Sequence, residues 1–256
     1  MSCLGRDPLG VEARATLTAL KVDHSWVAED AAHPTGTVQV TLDESGRPSY
    51  EICDRVAWDF LPMSAELESL AQRADAVCFG SLAQRNKVTR TTIHAFLKQV
   101  RPDALKIFDV NLRQAFYTKD IIVTSLDHSN VLKLSDEELP VLARMFDLSG
   151  SVQEQIAELL RRFDLRLVAN TRGAGGSLLM TPETTDDHKG FPVEVVDSVG
   201  AGDAFTAALC TGLLLHEPLS SVHDHANRVA AFVCSQQGAT PVLPDDLTEG
   251  AHESRQ

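Results

Sequence analysis

The residues best placed to do chemistry are Asp197-Ser198-Val199-Gly200-Ala201-Gly202-Asp203, directly ahead of an alanine-rich run at 204–215. The apolar run Val193-Glu194-Val195-Val196 precedes them, so the order reads as a strand, a small-residue turn and a helix start. Unpaired N–H groups at a helix N-terminus, together with the helix dipole, make an anion site. Gly200, Ala201 and Gly202 carry almost no side chain, so backbone donors there can approach a phosphate closely. Asp203 then stands in the first helical turn, beside that site. A carboxylate so placed repels a bound phosphate, and general-base work explains its presence. It would take the proton of a hydroxyl as the oxygen attacks a γ-phosphoryl group. The competing reading, a helix cap and nothing more, suits a lone aspartate better than this seven-residue context.

Three further segments carry chemistry. Asp109-Val110-Asn111-Leu112-Arg113 closes an apolar strand, and strand alternation would put Asp109, Asn111 and Arg113 on one face at its C-terminal end. Ligands of open α/β sheets bind at that edge, and an arginine there can stabilise phosphate oxygens. The alternative is an exposed ion pair. Ser135-Asp136-Glu137-Glu138 follows the next strand. Glu138 could hold a magnesium ion through water, or the segment could be a serine cap with acidic residues in a first turn. Asn170-Thr171-Arg172-Gly173-Ala174-Gly175-Gly176 is a glycine-rich loop between strands, which by itself is usually a turn. His216, His223 and His225 invite a metal cluster, but His223 and His225 are two apart on an expected helix and cannot share a face. They read as polar surface.

Composition bounds the setting. The chain has 256 residues and a formal net charge of −13, with its acidic residues scattered. A nucleic acid or anionic membrane would demand a clustered basic face, so neither is an expected partner. The five cysteines are odd in number and far apart without a CxxC pair, which argues against a disulfide framework or zinc cluster. Cys78, Cys210 and Cys234 lie in apolar runs and read as small core residues. No signal-like segment opens the chain and no apolar stretch is long enough for a bilayer, so a cytoplasmic location is expected.

The elements that must position these residues follow from periodicity. A helix is expected from Val11 to Leu20, after a turn-rich Gly5–Gly10, and a hairpin from Thr37–Leu42 and Ser49–Cys53 across the turn Asp43–Pro48. Short non-alternating strands are expected at Ala74–Phe79, Leu105–Val110, Asn130–Leu134 and Leu165–Ala169. Helices are expected near Val88–Val100, Asp120–Leu126, Asp136–Phe146 and Val152–Phe163. That interleaving implies a parallel sheet covered on both faces. Antiparallel strands are expected at Gly176–Thr181 and Phe191–Val196, then helices at Asp203–Leu215 and Ser221–Gln237. The tail from Asp245 is expected to fray.

Asp197 to Phe205 resembles the C-terminal signature of the ribokinase-like (phosphofructokinase-B type) carbohydrate kinases, and the resemblance extends over nearly the whole chain. It implies a three-layer α/β fold with a mostly parallel central sheet and a small β lid near residues 34–53, opened by Pro34-Thr35-Gly36. It also implies a kinase domain over residues 1–256, Asp203 as catalytic base and sugar contact, and Gly200, Ala201 and Gly202 as an anion hole. Arg113 and Asn111 match the family's Asp-x-Asn-x-Arg element near the transfer centre. Glu138 matches its Asn-x-x-Glu element, linked to magnesium, although Ser135 stands where asparagine is usual. Thr171, Gly173 and Gly176 match its nucleotide loop, and Asn227 and Gly238 positions around the adenine. Asp197 and Ser198 match positions near a monovalent-cation site. Arg55–Asp59, with Gly80-Ser81-Leu82, is similar to fructokinase-like members, which implies ATP and fructose as substrates and Gly80 in the sugar site. Trp58 reads as a packed aromatic rather than a sugar platform.

The resemblance implies a homodimer through the lid. Family members also begin with a strand and a Gly-Gly-Asn turn that have no counterpart here, so the chain is expected to be shortened at its N-terminus. Poor solubility or weak sugar binding would follow. Another sugar, a sugar phosphate or a nucleoside is the alternative substrate, and an inactive binding remnant the alternative of another class.

Overall fold

The computed structural model describes residues 1–42 and 48–248. It divides into two compact units, one of Met1–Ala74 with Leu82–Pro102, the other of Asp75–Ser81 with the chain from Asp103 onward.

In the first unit, strand β1 (Ser2–Gly5) pairs in parallel with β2 (Val27–Asp30) across helix α1 (Pro8–Ala19). Gly5–Gly10 is therefore not merely a turn. Asp7 caps α1 by accepting from the Gly10 amide, and proline stands in the first helical turn, where its missing N–H is no loss. Strands β3 (Val38–Leu42) and β4 (Pro48–Ile52) form the expected antiparallel hairpin, paired from Val38↔Ile52 to Leu42↔Pro48. Its expected turn at Asp43–Pro48 lies largely outside the described residues. Helices α2 (Ala65–Arg73) and α3 (Lys87–Gln99) complete the unit. The Trp58 ring is packed, with the Arg85 guanidinium 4.1 Å over its centre, and a Cβ on Gly36 would lie 2.3 Å from its Nε1.

The second unit is built on one six-stranded sheet in the order β10-β9-β8-β7-β6-β5. The strands β5 (Ala76–Gly80), β6 (Leu105–Asp109), β7 (Val131–Ser135) and β8 (Leu167–Thr171) run in parallel. After them β9 (Ser177–Met180) and β10 (Thr185–His188) reverse direction. Alternation along the strands divides their apolar side chains between two cores. Phe108, Leu132, Val168 and Leu178 face α4 (Lys119–Asp127), α5 (Leu139–Phe146) and α6 (Val152–Arg162). Ile107, Val131, Leu167 and Leu179 face α7 (Ala201–Leu214), α8 (Leu219–Cys234) and α9 (Asp245–Thr248). Helices on both faces of a mostly parallel sheet are the expected three layers.

Four expectations are corrected. Phe191–Val196 is not a strand; Thr185–His188 is the one that pairs with β9. Pro192 removes a ladder donor, Val195 and Val196 are about 60 % exposed (62 % and 61 %), and the amides of Val196 and Asp197 bond instead to the Cys234 carbonyl. Cys78 is exposed on the edge strand β5, and Cys210 and Cys234 are half-buried, so none is a sealed core residue. His223 is fully buried rather than surface. Asp245–Thr248 is helical rather than frayed, anchored by the buried Leu247.

Candidate functional site

The reversal after β8 and the start of α7 both lie in the second unit, as do the candidate residues Gly80, Asn111, Arg113, Glu138, Thr171 and Asp203. Gly200 caps α7 in the left-handed region with φ +83°, and its carbonyl accepts from the Ala204 amide at 2.8 Å. The helix thus begins two residues earlier than periodicity suggests, and Ala201, Gly202 and Asp203 form its first turn. First-turn amides have no carbonyl one turn back, and here the Ala201 amide reaches only the Ser198 carbonyl, at a long 3.4 Å, so this turn keeps donor capacity. The Asp203 side chain is exposed beside it. A cavity of about 550 Å³ opens at this point, with Gly200, Asp203, Ala207, Val229 and Ala239 in its lining.

Asp197 anchors the turn from the other side. Its Oδ1 accepts from the Val199 amide at 3.0 Å and its Oδ2 from the Gly238 amide at 3.1 Å. The segment 197–200 is thereby tied to the loop after α8, where Gly238 sits at φ +81°.

Beneath the turn, Asp109 ends β6 and Lys133 lies opposite it in register on β7. Their charged atoms are 3.1 Å apart and both residues are buried. Burial pushes the Asp109 carboxyl up, Lys133 pulls it back, and the Glu138 and Asp203 charges push it up again. Thr206, one turn along α7, lies 2.9 Å from the Gly202 carbonyl and 3.3 Å from Asp109 Oδ2. Sequence reading missed Lys133 and Thr206. The available signal was a lysine inside the apolar strand Val131–Leu134, which needs a carboxylate partner to be buried.

Strand alternation does not carry on through Arg113. The strand ends at Asp109, and Asn111 adopts φ +40°, so the three side chains of Asp-x-Asn-x-Arg do not share a strand face. Arg113 is exposed and donates to the Leu112 carbonyl. Gly80 pairs with Asp109, and a Cβ there would lie 3.1 Å from the Asp109 carbonyl oxygen. Glu138 uses both oxygens, Oε1 accepting from the Leu112 amide at 2.7 Å and Oε2 from the Ser135 amide at 2.8 Å. It ties the loops after β6 and β7 together. Each oxygen keeps a lone pair, which suits a metal held through water. Among the described residues no three His, Cys, Asp or Glu side chains converge on one ion.

Thr171 ends β8, and the loop to Gly176 closes through Arg172 N–H to the Gly176 carbonyl at 2.8 Å. Gly173 has open space around it, with φ +53°. Gly176 packs face to face with Gly190: a Cβ on Gly176 would lie 2.3 Å from the Gly190 amide nitrogen. Ser177, the next residue, is buried against α8. It lies 2.7 Å from His223 Nε2, and Asn227 Nδ2 donates to its Oγ at 2.9 Å and to the His223 carbonyl at 2.8 Å. Asn227 thus points inward, 6 % exposed, and anchors the loop. His223 Nδ1 approaches Asp186 at 3.3 Å, an electrostatic contact rather than an aligned hydrogen bond. His223 and Asn227 sit one turn apart and share this inner face, while His225 lines the cavity on the other side.

The profile of the pfkB family carbohydrate kinases matches residues 1–246. A fructokinase of Salmonella typhimurium is 30% identical over 257 residues, covering 95% of this chain and 82% of that protein. A solved sugar kinase of Pyrococcus horikoshii in complex with ATP superposes with a TM-score of 0.78 at 29% identity, over 93% of this chain and 77% of the other. A double-mutant fructokinase of Vibrio cholerae, with fructose, ADP and potassium bound, gives 0.78 at 28% identity, over 93% and 79%. The ribokinase-like fold and the match along nearly the whole chain leave one assignment: the protein belongs to the pfkB family of carbohydrate kinases.

Proposed function

We propose that this chain transfers the γ-phosphoryl group of ATP to a hydroxyl of fructose, with Asp203 as the base. The observation that carries the reading is the exposed Asp203 carboxylate in the first turn of α7, beside backbone donors that Gly200, at φ +83°, lets the chain present. In-line attack of a sugar hydroxyl needs that carboxylate to take the proton as the oxygen–phosphorus bond forms. The amides of Gly200, Ala201 and Gly202 face the negative charge on the phosphoryl oxygens, where fixed donors act strongly. Arg113 supplies an exposed positive charge from the loop after β6, and Asn111 and Gly80 stand at the same sheet edge for the sugar. Thr171, Gly173 and Gly176 take the nucleotide. Asn227 supports that loop through Ser177, and Gly238 is tied to the anion turn through Asp197.

Magnesium, held through water at Glu138, would neutralise phosphate charge. A monovalent cation beside Asp197 and Ser198 would brace the anion turn. The relatives' complexes with ATP, and with fructose, ADP and potassium, support the choice of substrates and of that cation. The outward Val38, Val40 and Tyr50 of the β3–β4 hairpin, each more than half exposed, suit a homodimer formed through the lid. A cytoplasmic setting is part of the proposal; no described helix is long and apolar enough to cross a membrane.

A coupled ADP-release assay across a sugar panel tests the reading. Fructose should give the highest kcat/KM, and Asp203→Asn should cut turnover by roughly 10²–10⁴-fold while ATP still binds. An Asp203→Asn protein with parental turnover would remove the base assignment. A preference for a sugar phosphate or nucleoside would remove fructose alone.

A further inference from the structure

The pair beneath the anion turn has no part in the reaction as set out above. Lys133 and Asp109 are 7 % and 6 % exposed, and each costs desolvation energy even when paired. A well-packed apolar pair in such a place is often as stable, so stability alone does not account for two buried charges. Their position suggests what does. The Lys133 ammonium lies 3.3 Å from where a Cβ on Gly202 would stand, directly under the phosphate-binding turn. Thr206 links the same two parts, its hydroxyl within hydrogen-bond reach of the Gly202 carbonyl and of Asp109. Asp109 also feels the charges of Glu138 and Asp203, and Lys133 is the cation that offsets them there.

We propose that Lys133 is a positioning residue for phosphoryl transfer, its ammonium fixed by Asp109 so that it supports Gly202 from below and turns the positive end of the pair toward the turn. It acts through the turn and does not touch the phosphate. The inference rests on the reading of Gly200–Gly202 and Asp203 given above. Its contribution falls on the charge that develops during transfer, so it should appear in kcat more than in the KM for ATP. Thr206 carries the mechanical part of the same link. Gly202 is the residue of choice at its position because any side chain would press on the ammonium.

Lys133→Met alone strands a buried carboxylate and can fail to fold. The decisive variant is therefore Lys133→Met/Asp109→Asn, which removes both charges at similar volume. Steady-state kinetics with ATP and fructose should show kcat lowered by about 10–100-fold with the KM for ATP within about threefold, and a thermal melt should show a folded protein. Thr206→Val should lower kcat in the same direction by a smaller factor. A folded double variant with parental kcat overturns the proposal, as does a loss confined to the KM for ATP. Asp203→Asn, assayed alongside, separates the two ideas. If it is inactive while the double variant is not, only the role of Lys133 falls; if it retains its rate, the underlying site reading falls with it.

Discussion

Replacing Gly200 with alanine should damage catalysis far more than stability. At φ +83° an alanine pays about 1–2 kcal/mol for the left-handed backbone. Its Cβ would also stand 2.4 Å from the Ala239 carbonyl oxygen, 2.9 Å from the Ala239 Cα and 3.0 Å from the carbonyl carbon. These are backbone atoms and cannot rotate aside. Ordinary contact begins near 3.4 Å, so the turn and the loop after α8 must separate by about 1 Å, a misplacement that can cost on the order of 10²-fold in rate. The strain alone predicts a melting temperature lower by roughly 2–4 °C for each kcal/mol in a domain of this size. Coupled ADP release should therefore show kcat/KM reduced about 100-fold in a protein that still melts cooperatively. A Gly200→Ala protein with kcat/KM within about threefold of the parent would refute both the contact and the importance of the turn.

Two other outcomes follow from the same geometry. Burial holds the His223 imidazole below its ordinary 6.5, with His188 adding to the effect, while Asp186 and Asp187 oppose it. The unfolded chain then takes up that proton more readily, so stability should fall as pH drops below 6.5, and His223→Gln should flatten this part of the melting profile. Parallel profiles for parent and variant between pH 7 and about 5.5 would count against the buried clasp. Glu138→Gln replaces an acceptor for one of two backbone amides and removes the charge, so the magnesium needed for half-maximal rate should rise by about 10–100-fold. An unchanged magnesium titration would leave Glu138 a loop tie alone.

Much of the fold could be read from local pattern, because β6, β7 and β8 each carry adjacent apolar residues that fill the two cores, and only a sheet covered on both faces makes such strands. The turn at Gly200–Gly202 was readable because a run of small residues at a helix start is itself a local signal, although what the turn packs against, Ala239 and Lys133, is distant in sequence. What escaped depended on partners distant in sequence. Thr185–His188 has little strand character of its own and becomes a strand because β9 offers an open edge, whereas Val193–Val196 looks like a strand and finds no ladder. His223 could be excluded from a metal cluster by helical phase, but which face of α8 is buried depends on Ser177, 46 residues away. Cys78 looked like core because its neighbours are apolar, and its exposure follows from lying on an edge strand.

The back-to-back glycines at 176 and 190 have a consequence for how this sequence can vary. A side chain on Gly176 would meet the His188 carbonyl and the Gly190 backbone, and one on Gly190 would come within 3.0 Å of the Gly176 Cα. The close approach requires both positions to stay bare, so a change at either cannot be rescued by a change at the other. A library randomised at the two sites should return glycine at both, showing joint invariance without compensating pairs. The length of the excursion between them, residues 177 to 189, could drift freely, provided the two bare positions still meet.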